Sequence, residues 1–399
     1  MIREDQRVID SPMLLTLRSI FERQFGETTG LKFAMAPGRV NLLGEYTDMN
    51  DGFVLPMTVD RGVYFGIRAR SDDRVCVYSV RYDELLEYSL AAPPSTKAGS
   101  WSSYVVGVVE ELRQKGLISK GFEAVFDGDL DLGAGLSSSA ALEVAMATAL
   151  QHLTGFSLDA VEMVKLCQYV EHHYANVLCG IMDQFASRVG RQDHALFLDC
   201  RSLECKNIPI AFGEYRIVIV SSGVKRALAA SAYNTRRAEC QEAVDFFSQR
   251  NSNVTALRDV TAEMFDEHSD EFEINVRRRC RHVIAENSRV LEAVERLSNG
   301  QLKEFGSLMT ASHNSLRDDF EVSCEELDML VKIATSTEGV LGARMTGAGF
   351  GGCTVNLVHK DAVGSLENRF NEEYASTFQS QHEVFVLRGN LEAGALSVP

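Results

Sequence analysis

The sequence predicts an α+β protein of two units, residues 1–208 and 209–399. Three observations lead there. At 399 residues the chain is long enough for two domains, each with its own core. Strand-like apolar runs alternate with helical stretches, and no internal repeat or low-complexity tract interrupts them. The loop from Lys206 to Glu214 then precedes a fresh strand, Arg216 to Ser221, that opens the second unit.

Taken in order, an amphipathic helix is expected over Pro12 to Phe25, with strands at Lys32 to Met35, Gly62 to Arg68 and Arg74 to Val80. Residues Ala91 to Ser100 carry the Pro/Gly/Ser chemistry of a loop. A helix over Trp101 to Gln114, a strand near Phe122 to Phe126 and a turn from Gly128 to Gly135 follow. The next helix, Ser139 to Leu153, is interrupted only by Glu143, Thr148 and Gln151, so it should be buried on every side. Helices over Asp159 to Val177 and from Met182 complete the first unit. In the second, Cys240, Ala243, Val244 and Phe247 keep the i, i+3, i+4, i+7 spacing of one helix face. Another helix is expected over Asn275 to Leu297, and a strand over Gly352 to Val358.

Charge narrows the partners. Lys and Arg total 40 against 56 Asp and Glu, a formal net charge of −16, which repels phosphate backbones and anionic lipid. Neither nucleic acid nor membrane is expected as a partner, and a monomer is favoured. An anionic ligand must then be held locally, by an arginine, backbone N–H groups or a metal ion. The start, MIREDQRVID, is charged and does not read as a signal peptide. No apolar run approaches the ~18 residues of a membrane helix. Nine scattered cysteines without a C-x-x-C pair read as free thiols in a reducing cytoplasm.

The densest polar stretch is Ala36-Pro37-Gly38-Arg39-Val40-Asn41-Leu42-Leu43-Gly44-Glu45-Tyr46-Thr47-Asp48-Met49-Asn50-Asp51-Gly52. It sets an arginine, carboxylates and asparagines between apolar runs, a pattern that suits neither plain core nor plain surface. A second motif is Leu132-Gly133-Ala134-Gly135-Leu136-Ser137-Ser138-Ser139-Ala140, which leads into the buried helix. Glycines let backbone N–H groups approach a phosphate, the helix start adds partial positive charge, and hydroxyls can meet phosphate or magnesium. A serine N-cap after a glycine turn is the bland reading; the combination favours a phosphate cradle. It is not a Walker loop, since G-x-x-x-x-G-K-[ST] is absent.

Gly347, Gly349 and Gly352 match G-x-G-x-x-G but precede a strand, so the dinucleotide reading is rejected. A positive-φ turn and a loop packed on the active site are equally good readings. Asp183 follows Gly180 at the first turn of a helix, where an aspartate is most often a cap. Glu171 lies about three turns upstream and can face the same cleft; His172 and His173 beside it read as helix surface. The basic run Arg277-Arg278-Arg279-Cys280-Arg281 reads as a solvated face balanced by nearby acids.

Together, in this order, the motifs resemble those of the galactokinases, within the wider group of GHMP small-molecule kinases. The resemblance covers about residues 31 to 352 and includes Cys179 to Gln184 and Ser231 to Arg237. It implies a GHMP-kinase-like α+β architecture with the active site in the cleft between the two domains. It implies ATP and Mg2+ as cofactors and transfer of phosphate to the anomeric hydroxyl of galactose. Asp183 would then be base or proton acceptor, and Arg39 would stabilise charge on the phosphoryl group. Gly133, Ala134, Gly135, Leu136, Ser137, Ser138 and Ser139 would wrap the ATP phosphates, with Ser79 touching the nucleotide. Ser139 and Glu171 would hold magnesium. Glu45, Tyr46, Thr47 and Asp48, with Gly180 and Tyr233, would line the sugar pocket. A carboxylate beside an arginine favours its ionised form, so Asp183 either takes the proton outright or orients the hydroxyl and accepts it late.

The chain departs from the family pattern at two positions. Family members usually carry His where this chain has Tyr46, and Tyr where it has Met49. A pocket reshaped near the sugar's distal hydroxyls is expected. The rivals are a kinase for another hexose or N-acetylhexosamine, and a galactose- and ATP-binding regulator without catalysis. The intact Ser139-Ala140 step, with Arg39 and Asp183, favours an enzyme.

Overall fold

The computed structural model describes residues 7–8, 12–130, 135–224, 229–378 and 382–397. The first unit begins with β1 (Arg7–Val8), α1 (Pro12–Phe25), β2 (Lys32–Asn41), β3 (Phe53–Val54) and β4 (Pro56–Ala69). It continues through β5 (Arg74–Ser79), β6 (Glu84–Ser89), α2 (Trp101–Gln114) and β7 (Phe122–Gly128). Three helices follow, α3 (Ser138–Thr154), α4 (Ala160–Tyr174) and α5 (Met182–Val189), then β8 (His194–Asp199) and β9 (Cys205–Pro209). Strand β2 runs six residues past the expected Met35, which makes Arg39 and Asn41 strand residues with fixed directions.

Alternation along β2 decides what covers the large sheet. Phe33 and Met35 face α1, while Ala34 and Ala36 face the side occupied by α3, because successive side chains point to opposite faces. Helix α3 is buried along most of its length, as its composition requires, and α2, α4 and α5 pack around it. Small residues at Ala140, Ala141, Ala145, Ala147 and Ala149 allow that close approach.

The second unit starts with β10 (Tyr215–Ser221), α6 (Ala229–Ser248), α7 (Ala262–His268), α8 (Ile274–Ser298) and α9 (Leu302–Asp318). It ends with α10 (Glu325–Thr335), β11 (Val340–Thr346), β12 (Cys353–His359), β13 (Glu383–Val386) and β14 (Gly394–Ser397), with short helical turns between β12 and β13. The sheets run β1-β14-β2-β4-β7-β5-β6, β11-β12-β10-β13 and β3-β8-β9. Strand β14 therefore returns from the second half to pair with β2, Leu396 opposite Phe33, and the boundary at 208/209 does not separate the sheets cleanly. Separate cores are expected; instead one apolar cluster runs from Leu42 and Leu55 through Val290 to Phe305 and Val355, because α8 packs against β3 and α9, and α9 against β11.

Helix α8 makes that junction polar as well as apolar. His282, Glu286 and Val290, at i, i+4 and i+8, lie on one stripe beneath residues 44–53. Glu286, fully buried, accepts from the Gly44 N–H (2.9 Å), Ser312 Oγ (2.6 Å) and Arg289 Nε (2.6 Å). Asn287 Oδ1 accepts from the Phe53 N–H (2.9 Å), and His282 Nε2 meets the Glu45 carbonyl (3.1 Å). Burial holds His282 neutral, with its pKa lowered to about 4. The basic run is only partly the solvated face expected. Arg279 is buried, since it shares the inward stripe with Val276 and Val283, and it pairs with Glu239 (2.7 Å) and Glu321 (2.8 Å).

Glu286→Gln removes the charge that pairs with Arg289 and replaces one acceptor oxygen by an NH2 donor, leaving a buried cation uncompensated, so it should cost about 3–5 kcal/mol above pH 5. Despite burial, Arg289 and the other cations hold its carboxyl down at about 2, against 4.5 when unfolded. The contribution is thus present above about pH 4.5 and lost as the pH falls toward 2. Urea unfolding at stepped pH should show the gap between wild type and variant closing across that window.

Candidate active site

Arg39, near the end of β2, reaches across to the start of α5. Its Nε donates to Asp183 Oδ1 at 2.8 Å and its Nη2 stands 2.6 Å from the same oxygen. Its Nη1 donates to the Gly135 carbonyl (2.7 Å), and its backbone N–H donates to the Leu136 carbonyl (3.0 Å). Asp183 is not a helix cap. Ile181 holds that position, and the second carboxylate oxygen of Asp183 accepts from Ser137 Oγ at 2.6 Å. Ser137, at the N-cap of α3 with φ 58°, likewise makes no side-chain cap and spends its hydroxyl on Asp183. Gly133 and Ala134 lie outside the described residues.

Ser139, one residue into α3, lies beside the Glu171 carboxyl and the Tyr104 hydroxyl. Burial pushes Glu171 up to about 7, with Ser139 pulling it back and the Asp183 charge adding to the rise. Glu143, one turn further along α3, is fully buried and raised well above the ordinary carboxylate range, first by burial and then by Glu171. It was noted from sequence only as a break in an apolar helix; a lone acid on a helix with no exposed face was the available signal. Beside Ser138 and Ser139 opens a cavity of about 260 Å3 lined by Tyr82, Trp101, Tyr104, Phe126 and Asp127. Ser79, opposite Phe126 in the β5–β7 ladder, buries an Oγ with no hydrogen-bond partner among the described residues.

On the other side of Asp183 lies the turn 44–52. Asp48 packs against Gly180 so closely that a Cβ there would stand 1.9 Å from its Oδ2. Burial, and then the charge of Asp183, push Asp48 up to about 7. Tyr233 OH accepts from the Gly180 N–H at 3.4 Å. Tyr46, in the left-handed region with φ 66°, stacks on Tyr233 (5.1 Å) and packs at a tilt against Phe320 (4.5 Å). Its hydroxyl donates to the Ala348 carbonyl at 2.6 Å. Thr47 is fully buried and bonds the Gly44 and Phe53 carbonyls.

Glu45 ties this turn to the third glycine motif. It takes Arg344 Nη2 (2.7 Å), the Gly347 N–H (2.7 Å) and the Asn41 amide, all buried. Gly349, at φ 74°, passes so close to the Val322 carbonyl that a Cβ would stand 2.1 Å from it. The glycine cluster is thus a loop packed on the site, opening β12. Arg344 carried no sequence signal, being an isolated charge in a strand-like run. His172, expected on the surface, is half-buried, its Nε2 on the Cys179 carbonyl (2.8 Å).

Family models match along the chain: the galactokinase galactose-binding signature at residues 19–69, the GHMP kinases N terminal domain at 103–191 and the GHMP kinases C terminal at 290–376. A galactokinase of Clostridium beijerinckii is 42% identical over 375 residues, 93% of this chain and 96% of its own. One from Bacillus subtilis is 41% identical over 363 residues, 90% and 93% of the two chains. The chain belongs to the galactokinase family. The structure of Lactococcus lactis galactokinase complexed with galactose superposes with a TM-score of 0.92 at 36% identity, covering 96% of this chain and all of that one. A mevalonate kinase structure, at 18% identity and a TM-score of 0.65, shares the fold.

The raised Asp48 carboxyl gives this galactokinase-family site a pH signature. Its pKa of about 7 exceeds the ordinary 3.8, so its contribution to stability is present below about pH 3.8 and lost as the pH rises through 7. Asp48→Asn cannot ionise. Between pH 4.5 and 8, urea unfolding should move in the variant's favour relative to wild type by about 2–4 kcal/mol.

Proposed function

We infer that this chain transfers the terminal phosphoryl group of ATP to the anomeric hydroxyl of galactose, giving galactose 1-phosphate. The observation that carries the reading is the Arg39–Asp183 pair, set between the phosphate loop and the turn 44–52. Phosphoryl transfer asks chiefly for positioning and charge neutralisation, which an arginine and a helix start can supply. In this reading ATP lies along Gly133 to Ser139, with its base in the cavity beside Trp101 and its sugar edge near Ser79. Galactose lies against Asp48, Gly180 and Tyr233, with Glu45, Tyr46 and Thr47 forming the wall behind. Asp183 orients the anomeric hydroxyl and takes its proton on a carboxylate oxygen. Arg39 holds that carboxylate in place and faces the charge that develops on the phosphoryl group.

Ser139 and Glu171 suit Mg2+, which commonly binds one or two protein oxygens and fills its remaining positions with phosphate and water. The Glu171 carboxyl, raised by burial and by the Asp183 charge and with the Ser139 hydroxyl beside it, is a donor set such a cation would stabilise. Bound there, the ion would neutralise phosphate charge. We infer a cytoplasmic location, where thiols that form no disulfide stay reduced.

A coupled assay over a panel of hexoses and N-acetylhexosamines tests the reading. Galactose should be turned over with ATP, and Asp183→Ala should lower kcat by at least about 10³-fold. No turnover with any sugar would favour the non-catalytic regulator. Tyr46→His removes both the hydroxyl on Ala348 and part of the stack on Tyr233. It should change the KM for galactose about threefold or more and reorder the preferred sugars. An unchanged KM and ranking would rule out Tyr46 as a determinant of the sugar pocket.

A further inference from the structure

Both oxygens of the Asp183 carboxylate are engaged by groups that answer to the phosphate loop. Oδ1 faces Arg39, whose Nη1 is held by the Gly135 carbonyl. Oδ2 faces Ser137 Oγ at 2.6 Å. Ser137 is the N-cap of α3, a position where anions bind, and it is mostly buried in a left-handed conformation that non-glycine residues seldom adopt. The hydroxyl carries one hydrogen, so it can donate to Asp183 or to a phosphate oxygen, but not fully to both.

We propose that Ser137 is a positioning residue that couples nucleotide occupancy to sugar binding, its hydroxyl moving from Asp183 Oδ2 to an ATP phosphate oxygen and so releasing Oδ2 for the sugar hydroxyl. The proposal rests on Asp183 facing the reacting hydroxyl. That assignment is decided separately, by whether turnover survives in Asp183→Ala. A sugar hydroxyl that binds without nucleotide must displace Ser137 from Oδ2; one that binds after nucleotide meets a free acceptor. The two ligands therefore favour each other, and by linkage the effect is mutual.

The test is a binding cycle by calorimetry, using galactose with and without a non-hydrolysable ATP analogue and Mg2+. In the wild type, the analogue should tighten galactose binding about tenfold. In Ser137→Ala and Ser137→Gly, galactose should bind about tenfold tighter than to wild type in the absence of analogue, and adding the analogue should change that affinity less than twofold. A merely structural role for Ser137 would weaken galactose binding in both variants and leave the coupling in place. The proposal fails if wild type shows no coupling, if either variant keeps it, or if the nucleotide-free variants bind galactose no better than wild type. Should both variants prove unstable, Ser137→Thr, which keeps a hydroxyl, should retain the wild-type coupling while Ser137→Cys, a weak donor, should lose most of it; coupling unchanged in Ser137→Cys overturns the proposal.

Discussion

One guanidinium holds the centre of this molecule together. Arg39 is almost wholly buried, and its donors are divided between a carboxylate on α5 and a carbonyl of the loop before α3, while its backbone anchors that loop again through Leu136. A lysine has the charge but not the planar fork needed to serve both acceptors in fixed directions. Because Arg39 belongs to β2, the rigidity of the seven-stranded sheet is passed to the phosphate loop and to Asp183 together. Arg39, Asp183 and the Gly135–Leu136 loop thus come from three chain segments that no local preference would bring into contact.

The second half of the chain braces this centre from beneath. Helix α8 sets His282, Glu286 and Val290 under the turn 44–53, and β11 sends Arg344 to Glu45. Buried charges are costly unless fully paired, so each such contact locks the relative placement of the two halves more than it raises net stability. The carboxy-terminal strand completes the tie by pairing with β2 itself, and Asn390 bonds Thr58 and the Arg191 carbonyl on the way.

Around Asp183 the acids outnumber the cations. Asp48, Glu143 and Glu171 are all pushed up by burial, and Asp183 contributes to each rise. Such a site is poorly satisfied by protein groups alone and suits a ligand that brings positive charge with it. That fits the proposed reaction if phosphate arrives with a divalent cation.

Sequence alone determined the parts whose physics is local. Helices Pro12–Phe25 and Trp101–Gln114 have the bounds their periodicity implies, and the glycine and serine chemistry of residues 133–139 pointed to phosphate before any partner was known. The family, too, was legible, because Arg39 to Gly52 pack unusual residue types into one short run. Tertiary structure alone decided which of those residues touch one another. Nothing local showed that Ser137 would turn to Asp183 instead of capping its helix, or that the Tyr46 hydroxyl would go to Ala348. Nor could the pairing of Glu286 with Gly44, of Glu45 with Arg344, or of Leu396 with Phe33 be read, since each joins positions more than 200 residues apart. Periodicity reports which face of an element is buried, not what covers it. Strands β1, β3, β6, β8, β9, β11, β13 and β14 are not read from the sequence, and Arg279 is buried only because α6 and the turn at Glu321 close over it.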